Sequence, residues 1–452
     1  MKKDYTATSI FFEGISMVRA TLFTASLLVL LTGCSSQDAP APLPELVTLS
    51  DPGAVDESLQ AFVDEGIFPF LHMRVEDKYG RPVYQGSAVS DTLLPGEIID
   101  ENTWIRIWSM SKIITISIAM DLVEDGLIKL DDPVTKYIPE FANLQVIRAA
   151  DGNLFGAQDD KEAACPGTLE PVESTMTVEH LITHEAGFYY PMTGFPCVDD
   201  ALADARLPRA NDTTDAVNRI SEIPLLQEPG ERDFYGINTT VLGFVAERAS
   251  GQSLSELVRE RITAPLSIEG LQYEMPNGVT LLPRFSGADG ELRFATQSEL
   301  DIFGDQLPDY DPDRPLYLGG EGMLATTDAY ADFLRMFMNR GVLDGHRVLE
   351  ESSVERMTSP HTQLDNEWGY NGYNVWVNSG KLYDGSTGVG GLWTGGGYEG
   401  THFWIDTERE LVGIIVTQIF SPAPAGRGRD DRIREAFYAQ LPNADTATQA
   451  GE

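Results

Sequence analysis

The sequence predicts an α/β protein of the α+β type, in which the N- and C-terminal segments form one antiparallel sheet flanked by helices, with a mainly helical insertion between them. Residues 71–89 alternate loosely between apolar and polar around a Tyr-Gly-Arg-Pro turn at 79–82, as in a β-hairpin. Strand-like runs return in the last third, at 373–377, 401–405 and 411–418. Because helical patterns fill the middle, a cleft is expected between the sheet and the insertion.

The helical patterns differ in how much of each helix is apolar. Apolar residues lie nearly all round the segment 113–123, so this helix is predicted to be buried, with Gly126 as its C-terminal cap. Asp132 and Pro133 are predicted to be the N-cap and first residue of the next helix. Further helices are predicted at 176–183, 239–249, 254–262 and 327–338.

Length and composition fit a globular protein with a full core. The chain has 452 residues, of which 42% are hydrophobic and 9% aromatic. We predict one large domain at 53–440, which consists of an α/β part at 53–108 and 315–440 and a helical part at 109–314. A disordered tail is predicted at 441–452. The net charge of −38, from 32 Lys and Arg against 70 Asp and Glu, argues against nucleic acid and anionic membrane surfaces as partners.

The N-terminus has the pattern of an export signal. An arginine precedes the apolar run 21–31, which is too short for a stable transmembrane helix but suits a secretory signal. The run ends in Leu-Thr-Gly-Cys at 31–34, which resembles a bacterial lipobox and predicts lipidation of Cys34. We therefore expect a lipoprotein signal peptide at 1–33 and a flexible tether at 34–52. A serine directly after the cysteine resembles the signal that sorts lipoproteins to the outer membrane. The alternative to a lipoprotein signal is an ordinary cleaved signal peptide with an incidental cysteine.

Two further cysteines, Cys165 and Cys197, lie in one irregular stretch. Export to an oxidising compartment makes a disulfide between them plausible. His180 and His184 have i,i+4 spacing, but no glutamate follows His180 as a metalloprotease helix would require. The sequence predicts no metal and no cofactor.

The chemistry is predicted to centre on Ser109 and Lys112, at the head of the buried helix. Residues three apart lie on one helix face, so the hydroxyl and the amine would meet. A lysine partly stripped of water can take the serine proton, and the amides of the helix N-terminus favour negative charge near Ser109. In the alternative interpretation Ser109 is only an N-cap and Lys112 is solvated.

The segment 106–141, which includes Ser-Met-Ser-Lys at 109–112, resembles the class C β-lactamase-related serine hydrolases, a family that also contains DD-peptidases and esterases. The resemblance covers roughly residues 60–435 and implies a β-lactamase/DD-peptidase-like fold and an acyl-enzyme mechanism. It gives His184 a structural, hydrogen-bonding role. Matching motifs recur at 181–184, 229–230, 241–243, 250–254 and 319–322.

The family's second motif, Y-x-N, falls on 235–237. The resemblance makes Tyr235 an acid and base that passes the proton between Ser109 and the leaving group, beside Lys112. Ile237 replaces the family asparagine and is expected to line the substrate site, while Asn238 should point elsewhere. An aliphatic residue at this position resembles the esterase branch.

The third motif is K-T-G or H-T-G in peptidases and lactamases and often W-x-G in esterases, and it matches Trp393, Thr394 and Gly395. The resemblance implies that the N–H groups of Ser109 and Gly396 form the oxyanion hole. Trp393 replaces the cation that would anchor a carboxylate, and its indole is expected to form an apolar wall of the site.

Together these features predict a serine hydrolase that works through an acyl-enzyme, with ester hydrolysis as the favoured activity. β-Lactamase or D-Ala-D-Ala carboxypeptidase activity is the nearest alternative, transesterase or amidase activity would use the same machinery, and a catalytically silent envelope binding protein is a third class. The expected partner is a small-molecule ester or amide, and the expected contact with membrane is only the lipid anchor of an outer-membrane protein facing the periplasm.

Overall fold

The computed structural model describes residues 43–149, 165–296, 299, 302–303, 308, 310 and 312–442. The described residues from Leu46 onward belong to one compact unit. The predicted signal peptide, Cys34 and most of the predicted C-terminal tail lie outside the described residues. The Ser50 N–H donates to the Gln440 carbonyl at 2.9 Å. The compact unit therefore begins ahead of the predicted boundary at residue 53, and the predicted tether is too long at its C-terminal end.

The described residues contain helices and strands in the following order. The α-helices are α1 (Pro52–Asp64), α2 (Ser111–Glu124), α3 (Val178–Ile182), α4 (Pro196–Ala205), α5 (Thr213–Ser221), α6 (Asn238–Ser250), α7 (Leu254–Val258), α8 (Thr327–Met338), α9 (Glu351–Thr358) and α10 (Arg429–Tyr438). The strands are β1 (Phe70–Asp77), β2 (Pro82–Val89), β3 (Ile105–Arg106), β4 (Gln145–Arg148), β5 (Thr168–Pro171), β6 (Leu271–Gln272), β7 (Phe285–Ser286), β8 (Arg293–Phe294), β9 (Leu324–Ala325), β10 (Val342–Leu343), β11 (His346–Arg347), β12 (Gly369–Asn371), β13 (Trp376–Asn378), β14 (Trp393–Gly396), β15 (His402–Asp406), β16 (Leu411–Val416) and β17 (Ile419–Phe420).

The main sheet joins the two ends of the chain, as predicted. Its strand order is β12-β13-β14-β15-β16-β1-β2, and every neighbouring pair is antiparallel. Helices α2 to α7 lie between β2 and β12 in the chain. The α+β fold class and the helical insertion are therefore confirmed.

Helices cover both faces of this sheet. Successive residues of a strand point to opposite faces. On β15, the Phe403 ring lies 5.8 Å from the Tyr330 ring of α8, whereas the next residue, Trp404, lies 6.5 Å from the Phe437 ring of α10. Because both faces are covered, β1 and β16 are buried along their whole length rather than alternating.

Helix α2 is the buried helix that the sequence predicts, with eleven of its fourteen residues buried. A 3-10 turn at Trp108–Met110 precedes it, and Gly126 follows it at a φ of 73°. The Tyr330 hydroxyl of α8 donates to the Met110 carbonyl at 2.9 Å, which ties this turn to the sheet's covering helix. A hydrogen bond from another helix, α8, therefore helps to hold the start of α2 in place.

The helix predicted to begin at Asp132 and Pro133 is only a 3-10 turn at Val134–Lys136. Asp132 accepts hydrogen bonds from the Lys129 N–H and the Lys136 Nζ instead of capping a helix. Pro139 follows closely, and a proline disfavours helical backbone at the residue before it. The segment between this turn and Pro139 is therefore too short to extend the turn into an α-helix.

The disulfide between Cys165 and Cys197 is present, with a Cα–Cα distance of 5.5 Å, and it confirms that expectation. It ties residue 165 to α4, ahead of the segment that borders the cleft. Among the described residues, no helix is long and apolar enough to cross a membrane.

Three histidines with lowered pKa values, of which His72 and His184 are buried and His402 is partly buried, make the fold sensitive to acid. The His72 ring on β1 is fully buried between the Ser87 Oγ, at 2.8 Å, and the Thr327 Oγ1, at 3.1 Å. Burial lowers the pKa of His72 to about 4, and it lowers the pKa of His402 to about 4 and of His184 to about 3. An unfolded chain binds these protons near pH 6.5, so stability is present above that pH and is lost as the pH falls toward 4.

We predict that replacing His72 flattens this acid dependence. The free energy of unfolding, measured in urea at pH 7 and pH 5, should fall by about 2 kcal/mol less in His72→Gln than in the wild type, because one buried titrating group is gone. His346→Gln, at an exposed position, should keep the wild-type difference. Equal losses in wild type and His72→Gln would contradict this account.

Candidate active site

Ser109 lies in the 3-10 turn at the head of α2, where the backbone before it is strained. Trp108 has a φ of 48°, in the left-handed region that side chains rarely adopt. Its buried indole packs edge-on against the Tyr398 ring at 5.4 Å and lies 5.6 Å from the Arg284 guanidinium. This packing holds the turn in a conformation that leaves Ser109 on the wall of a cavity.

Lys112 is fully buried one turn after the serine. Its Nζ donates to the Ser109 Oγ at 3.1 Å, to the Tyr190 hydroxyl at 3.0 Å and to the Gly320 carbonyl at 2.8 Å. The Glu321 Oε1 lies 3.7 Å from the same nitrogen. The three N–H groups of an ammonium are thus matched by three acceptors, and the alternative of a solvated Lys112 is excluded.

Tyr190 is a site residue that the sequence did not predict, and its hydroxyl is a second hydroxyl partner of Lys112. Its hydroxyl accepts from the Lys112 Nζ and donates to the Glu321 Oε1. Burial raises the pKa of Tyr190 well above its ordinary value, and the Glu321 carboxylate adds to this effect. Tyr190 is therefore a neutral phenol that links the lysine to the glutamate.

Tyr235 lies at the mouth of the cavity and is 49% exposed. The Lys112 Nζ lies 4.9 Å from the centre of its ring, and the Tyr190 ring lies at 5.6 Å. Within the described part of the chain, the Tyr235 hydroxyl forms no hydrogen bond. Tyr235 therefore contacts Lys112 with the face of its ring and not with its hydroxyl. The role of Tyr235 in proton transfer stays a prediction.

Gly236 explains how the two tyrosines come together. A Cβ at Gly236 would overlap the backbone of Tyr189. Only glycine lets the segment before α6 approach the segment that carries Tyr190 so closely.

His184 and Asn238 support this junction, as expected. The His184 Nδ1 accepts from the Asn238 Nδ2 at 3.1 Å and from the Gly236 N–H at 3.4 Å. Because burial lowers the pKa of His184 to about 3, the ring is neutral near pH 7. The prediction that Ile237 contacts substrate is wrong: this residue is the N-cap of α6, is 1% exposed, and turns its side chain into the core.

The prediction for Trp393 is also wrong. Its indole packs edge-on against the Phe337 ring of α8 at 5.8 Å and does not line the cavity that contains Ser109. Thr394 is buried and donates to the Trp376 carbonyl at 3.2 Å, and Gly395 lies against the Phe403 ring. The residues of this segment that line the cavity therefore come after the Trp-Thr-Gly motif in the chain and are not the motif residues themselves.

Gly396 is the first residue of β14 that borders the cavity. It lies opposite His402 on β15, while the next residue, Gly397, donates its N–H to the Thr401 carbonyl at 2.8 Å. Successive residues of an antiparallel strand point their N–H groups to opposite sides. The Gly396 N–H therefore points away from β15, which is consistent with its expected part in an oxyanion hole.

The cavity has a volume of about 390 Å³ and a charged end that the sequence did not predict. Arg429, at the start of α10, lines it together with Asp430, and the Arg429 Nε donates to the Asp430 Oδ1 at 2.8 Å. Arg429 is thus a cation of the site that the sequence did not predict, and it already has a carboxylate partner. The lining residues are Ser109, Tyr190, Met192, Tyr235, Ile302, Gly396, Gly397, Tyr398, Gly400, Thr401, His402, Arg429 and Asp430.

Comparison with known proteins identifies the family. A family model described as Beta-lactamase matches residues 78–438, well over half of the chain. The chain belongs to the beta-lactamase family. The matched residues include Ser109, Lys112 and Tyr235.

Among curated proteins, the chain is similar to the lovastatin esterase of Penicillium rubens, at 28% identity over 68% of this chain and 72% of that protein. It is similar to the acyltransferase mokF of Monascus pilosus, at 25% identity over 69% and 72% of the two chains. Protein Rv1367c of Mycobacterium tuberculosis is 29% identical over 63% of this chain, and the match spans 66% of that protein, slightly under two thirds of its length.

Solved structures show the same fold. Simvastatin synthase (LovD) of Aspergillus terreus superposes with a TM-score of 0.67 at 21% identity, over 86% of this beta-lactamase family chain and 98% of that chain. EstCE1, described as a hydrolase with promiscuous acyltransferase activity, has a TM-score of 0.67 at 19% identity, over 85% and 98%.

Sequence reasoning missed Tyr190, Glu321 and Arg429. Glu321 carried a signal, because an acidic residue between glycines at 319–322 marks a charge in a segment built for close backbone approach. Tyr190 lies in an irregular stretch without periodicity, and Arg429 reaches the cavity from the far end of the chain. No local pattern could have placed these two beside Ser109.

We predict that Gly397→Ala disables the site while the protein stays folded. The added Cβ would overlap the Ile107 carbonyl oxygen, just before Trp108, and would push the end of β14 away from the serine. Because misplaced oxyanion donors are costly, kcat/KM for p-nitrophenyl acetate should fall by about 100-fold or more.

The matched control for Gly397→Ala is Gly53→Ala. Position 53 lies in the first turn of α1, where an added Cβ meets only the Asp51 side chain at 3.2 Å. This variant should keep wild-type kcat/KM. Near-wild-type activity in Gly397→Ala, with an unchanged melting temperature, would contradict the close approach of β14 to the serine segment.

Proposed function

We propose that this beta-lactamase family protein hydrolyses carboxylic esters through an acyl-enzyme formed on Ser109. One observation carries the proposal: the Ser109 Oγ borders an open cavity and lies 3.1 Å from the Nζ of a fully buried lysine. A hydroxyl becomes a nucleophile when a base removes its proton, and a buried amine next to it can serve as that base. A silent binding protein has no use for this pair.

In the proposed reaction, the Ser109 oxygen attacks the ester carbonyl carbon as its proton passes to the neutral Lys112 amine. The tetrahedral oxyanion accepts hydrogen bonds from the Ser109 and Gly396 N–H groups. Its collapse breaks the bond to the alcohol, which leaves with the proton that Lys112 received. Water then attacks the acyl-enzyme by the same route and releases the acid. In this proposal, Tyr235 assists the transfer of the proton to the leaving alcohol.

Four observations support esters over β-lactams and D-Ala-D-Ala peptides. The family asparagine is replaced by a buried Ile237, and Gly395 and its neighbours offer no lysine or histidine to anchor a carboxylate. Arg429, the cation at the far end of the cavity, is already paired with Asp430. Relatives of the chain are named as an esterase and as acyltransferases.

Acyl transfer to an alcohol is the second candidate. The named relatives include acyltransferases, and the cavity is open beside Ser109, with Met192 59% exposed at its rim. An alcohol that enters in place of water would accept the acyl group by the same proton route. Hydrolysis and transfer would then differ only in the second nucleophile.

We predict that the purified protein cleaves p-nitrophenyl acetate or butyrate and that Ser109→Ala lowers kcat by about 1,000-fold or more, because no nucleophile remains. The same preparation should cleave a chromogenic cephalosporin at least about ten-fold more slowly. Added primary alcohol should yield an exchanged ester if transfer is also supported.

Faster turnover of the cephalosporin than of the ester would overturn the ester preference. An unchanged rate in Ser109→Ala would overturn the acyl-enzyme proposal itself. Ser117→Ala is the matched control, because the Ser117 hydroxyl donates only to the Ile113 carbonyl of the same helix, at 2.8 Å, and should be dispensable for the chemical step.

We propose further that the protein is an exported lipoprotein anchored through Cys34. The disulfide between Cys165 and Cys197 supports export, because disulfides persist in oxidising compartments. In a Gram-negative expression host, the wild type should incorporate radiolabelled palmitate and fractionate with membranes, and Cys34→Ser should not incorporate the label. Equal labelling of the two proteins, or none in the wild type, would contradict lipidation at Cys34.

A further inference from the structure

Glu321 is a fully buried carboxylate directly behind the serine and lysine. Its Oε1 accepts from the Tyr190 hydroxyl, and its Oε2 accepts from the Thr240 Oγ1 at 2.6 Å. In the part of the chain that the structure describes, Glu321 takes part in one ion pair, with the Lys112 Nζ at 3.7 Å. Both oxygens are therefore bonded, and the counter-charge is the catalytic amine.

The segment that carries Glu321 is held against α2 at several points. The Gly319 carbonyl accepts from the Thr115 Oγ1 at 2.7 Å, the Gly320 carbonyl accepts from Lys112, and the Met323 N–H donates to the Ser111 Oγ at 3.2 Å. A Cβ at Gly320 would lie 2.9 Å from the Thr240 Oγ1. The carboxylate is thus fixed by the backbone on both sides and cannot swing toward solvent.

Burial of such a carboxylate is expensive unless a partner compensates it. A stabilising role alone would not require the partner to be the one lysine beside the nucleophile. We propose that Glu321 is a positioning residue for acyl transfer: its carboxylate stabilises the ammonium form of Lys112 and fixes the Tyr190 hydroxyl as a donor, so that the lysine faces Ser109. This inference rests on the proposed function.

The charges around Lys112 single out Glu321. Tyr190 is a neutral phenol, and His184 is a neutral ring because burial lowers its pKa to about 3. Tyr235 presents the face of its ring to the amine. Glu321 therefore supplies the full negative charge among the described groups that face this lysine.

This arrangement acts on two stages of the reaction. Before attack, Lys112 must be neutral, with one proton released to solvent through the cavity. During attack, the Ser109 proton forms the ammonium, and the carboxylate stabilises it. Glu321 is the residue that supplies this carboxylate. Replacing it with a neutral side chain should therefore lower the maximal rate and at the same time let Lys112 become neutral at lower pH.

The test is the rate at which a fluorophosphonate labels Ser109, followed by intact mass from pH 4.5 to pH 9. This probe reports on the nucleophile whatever the natural substrate is, and Ser109→Ala shows that the label is on the serine. In Glu321→Gln, the plateau rate should fall by about ten-fold or more, and the acid limb of the profile should move to lower pH by about one unit or more.

Two further variants separate charge from structure. Thr240→Val removes the hydroxyl that donates to the same carboxylate and accepts from the Gly320 N–H, but it keeps the charge of Glu321. Its acid limb should therefore stay at the wild-type pH whatever happens to its plateau. Glu321→Asp draws the charge back by one methylene, so its limb should lie between those of wild type and Glu321→Gln. It also carries the test if Glu321→Gln does not fold.

The outcomes distinguish the inference from the proposed function. No labelling of the wild type would overturn the proposed function. A labelled wild type whose acid limb is unchanged in Glu321→Gln, or in Glu321→Asp if that is the only folded variant, would overturn the role of Glu321 and leave the function standing. Equal shifts in Thr240→Val and Glu321→Gln would assign Glu321 a structural role and overturn the inference.

Discussion

A fully buried lysine, Lys112, lies directly behind the proposed nucleophile, and polar groups from distant segments surround its amine. The Lys112 amine contacts the Ser109 hydroxyl in the preceding turn and the Tyr190 hydroxyl from the segment before α4. It also contacts the Gly320 carbonyl and the Glu321 carboxylate from the segment before β9. These groups come from parts of the chain more than 200 residues apart. The lysine can occupy this position only when the helical insertion and the C-terminal half are both folded around α2.

The sheet supplies the other half of the site. The end of β14 approaches the segment before Ser109 because Gly397 has no side chain to strike the Ile107 carbonyl, and the strained Trp108 packs against Tyr398 just beyond. Substrate would enter between this strand end and the two tyrosines. The serine therefore sits where the two layers meet, which is how the fold class determines the place of the cleft.

The sequence predicted well whatever depends on local pattern. The strand-like runs that became β1, β2, β15 and β16 and the apolar run of α2 reflect side chains that are buried, and these elements form as expected. The spacing of Ser109 and Lys112 likewise fixes their contact, because three residues span nearly one helical turn.

What the sequence did not predict depends on contacts between distant segments. Trp393 matched a motif, yet its indole packs against Phe337 on α8 instead of lining the cavity. Ile237 followed the motif tyrosine, yet the start of α6 turned it into the core. Tyr190, Glu321 and Arg429 have no periodic signature, since their positions are set by tertiary packing.

The central claim is that the Ser109 oxygen becomes an acyl acceptor because Lys112 removes its proton. It is tested most directly by mixing the enzyme with a p-nitrophenyl ester, quenching in acid within milliseconds to seconds, and mapping the acyl group by peptide mass. The account predicts the acyl mass on the peptide that contains Ser109 in the wild type and its absence in Lys112→Met. An acyl group on another residue, or the same yield on Ser109 without the lysine amine, would contradict it.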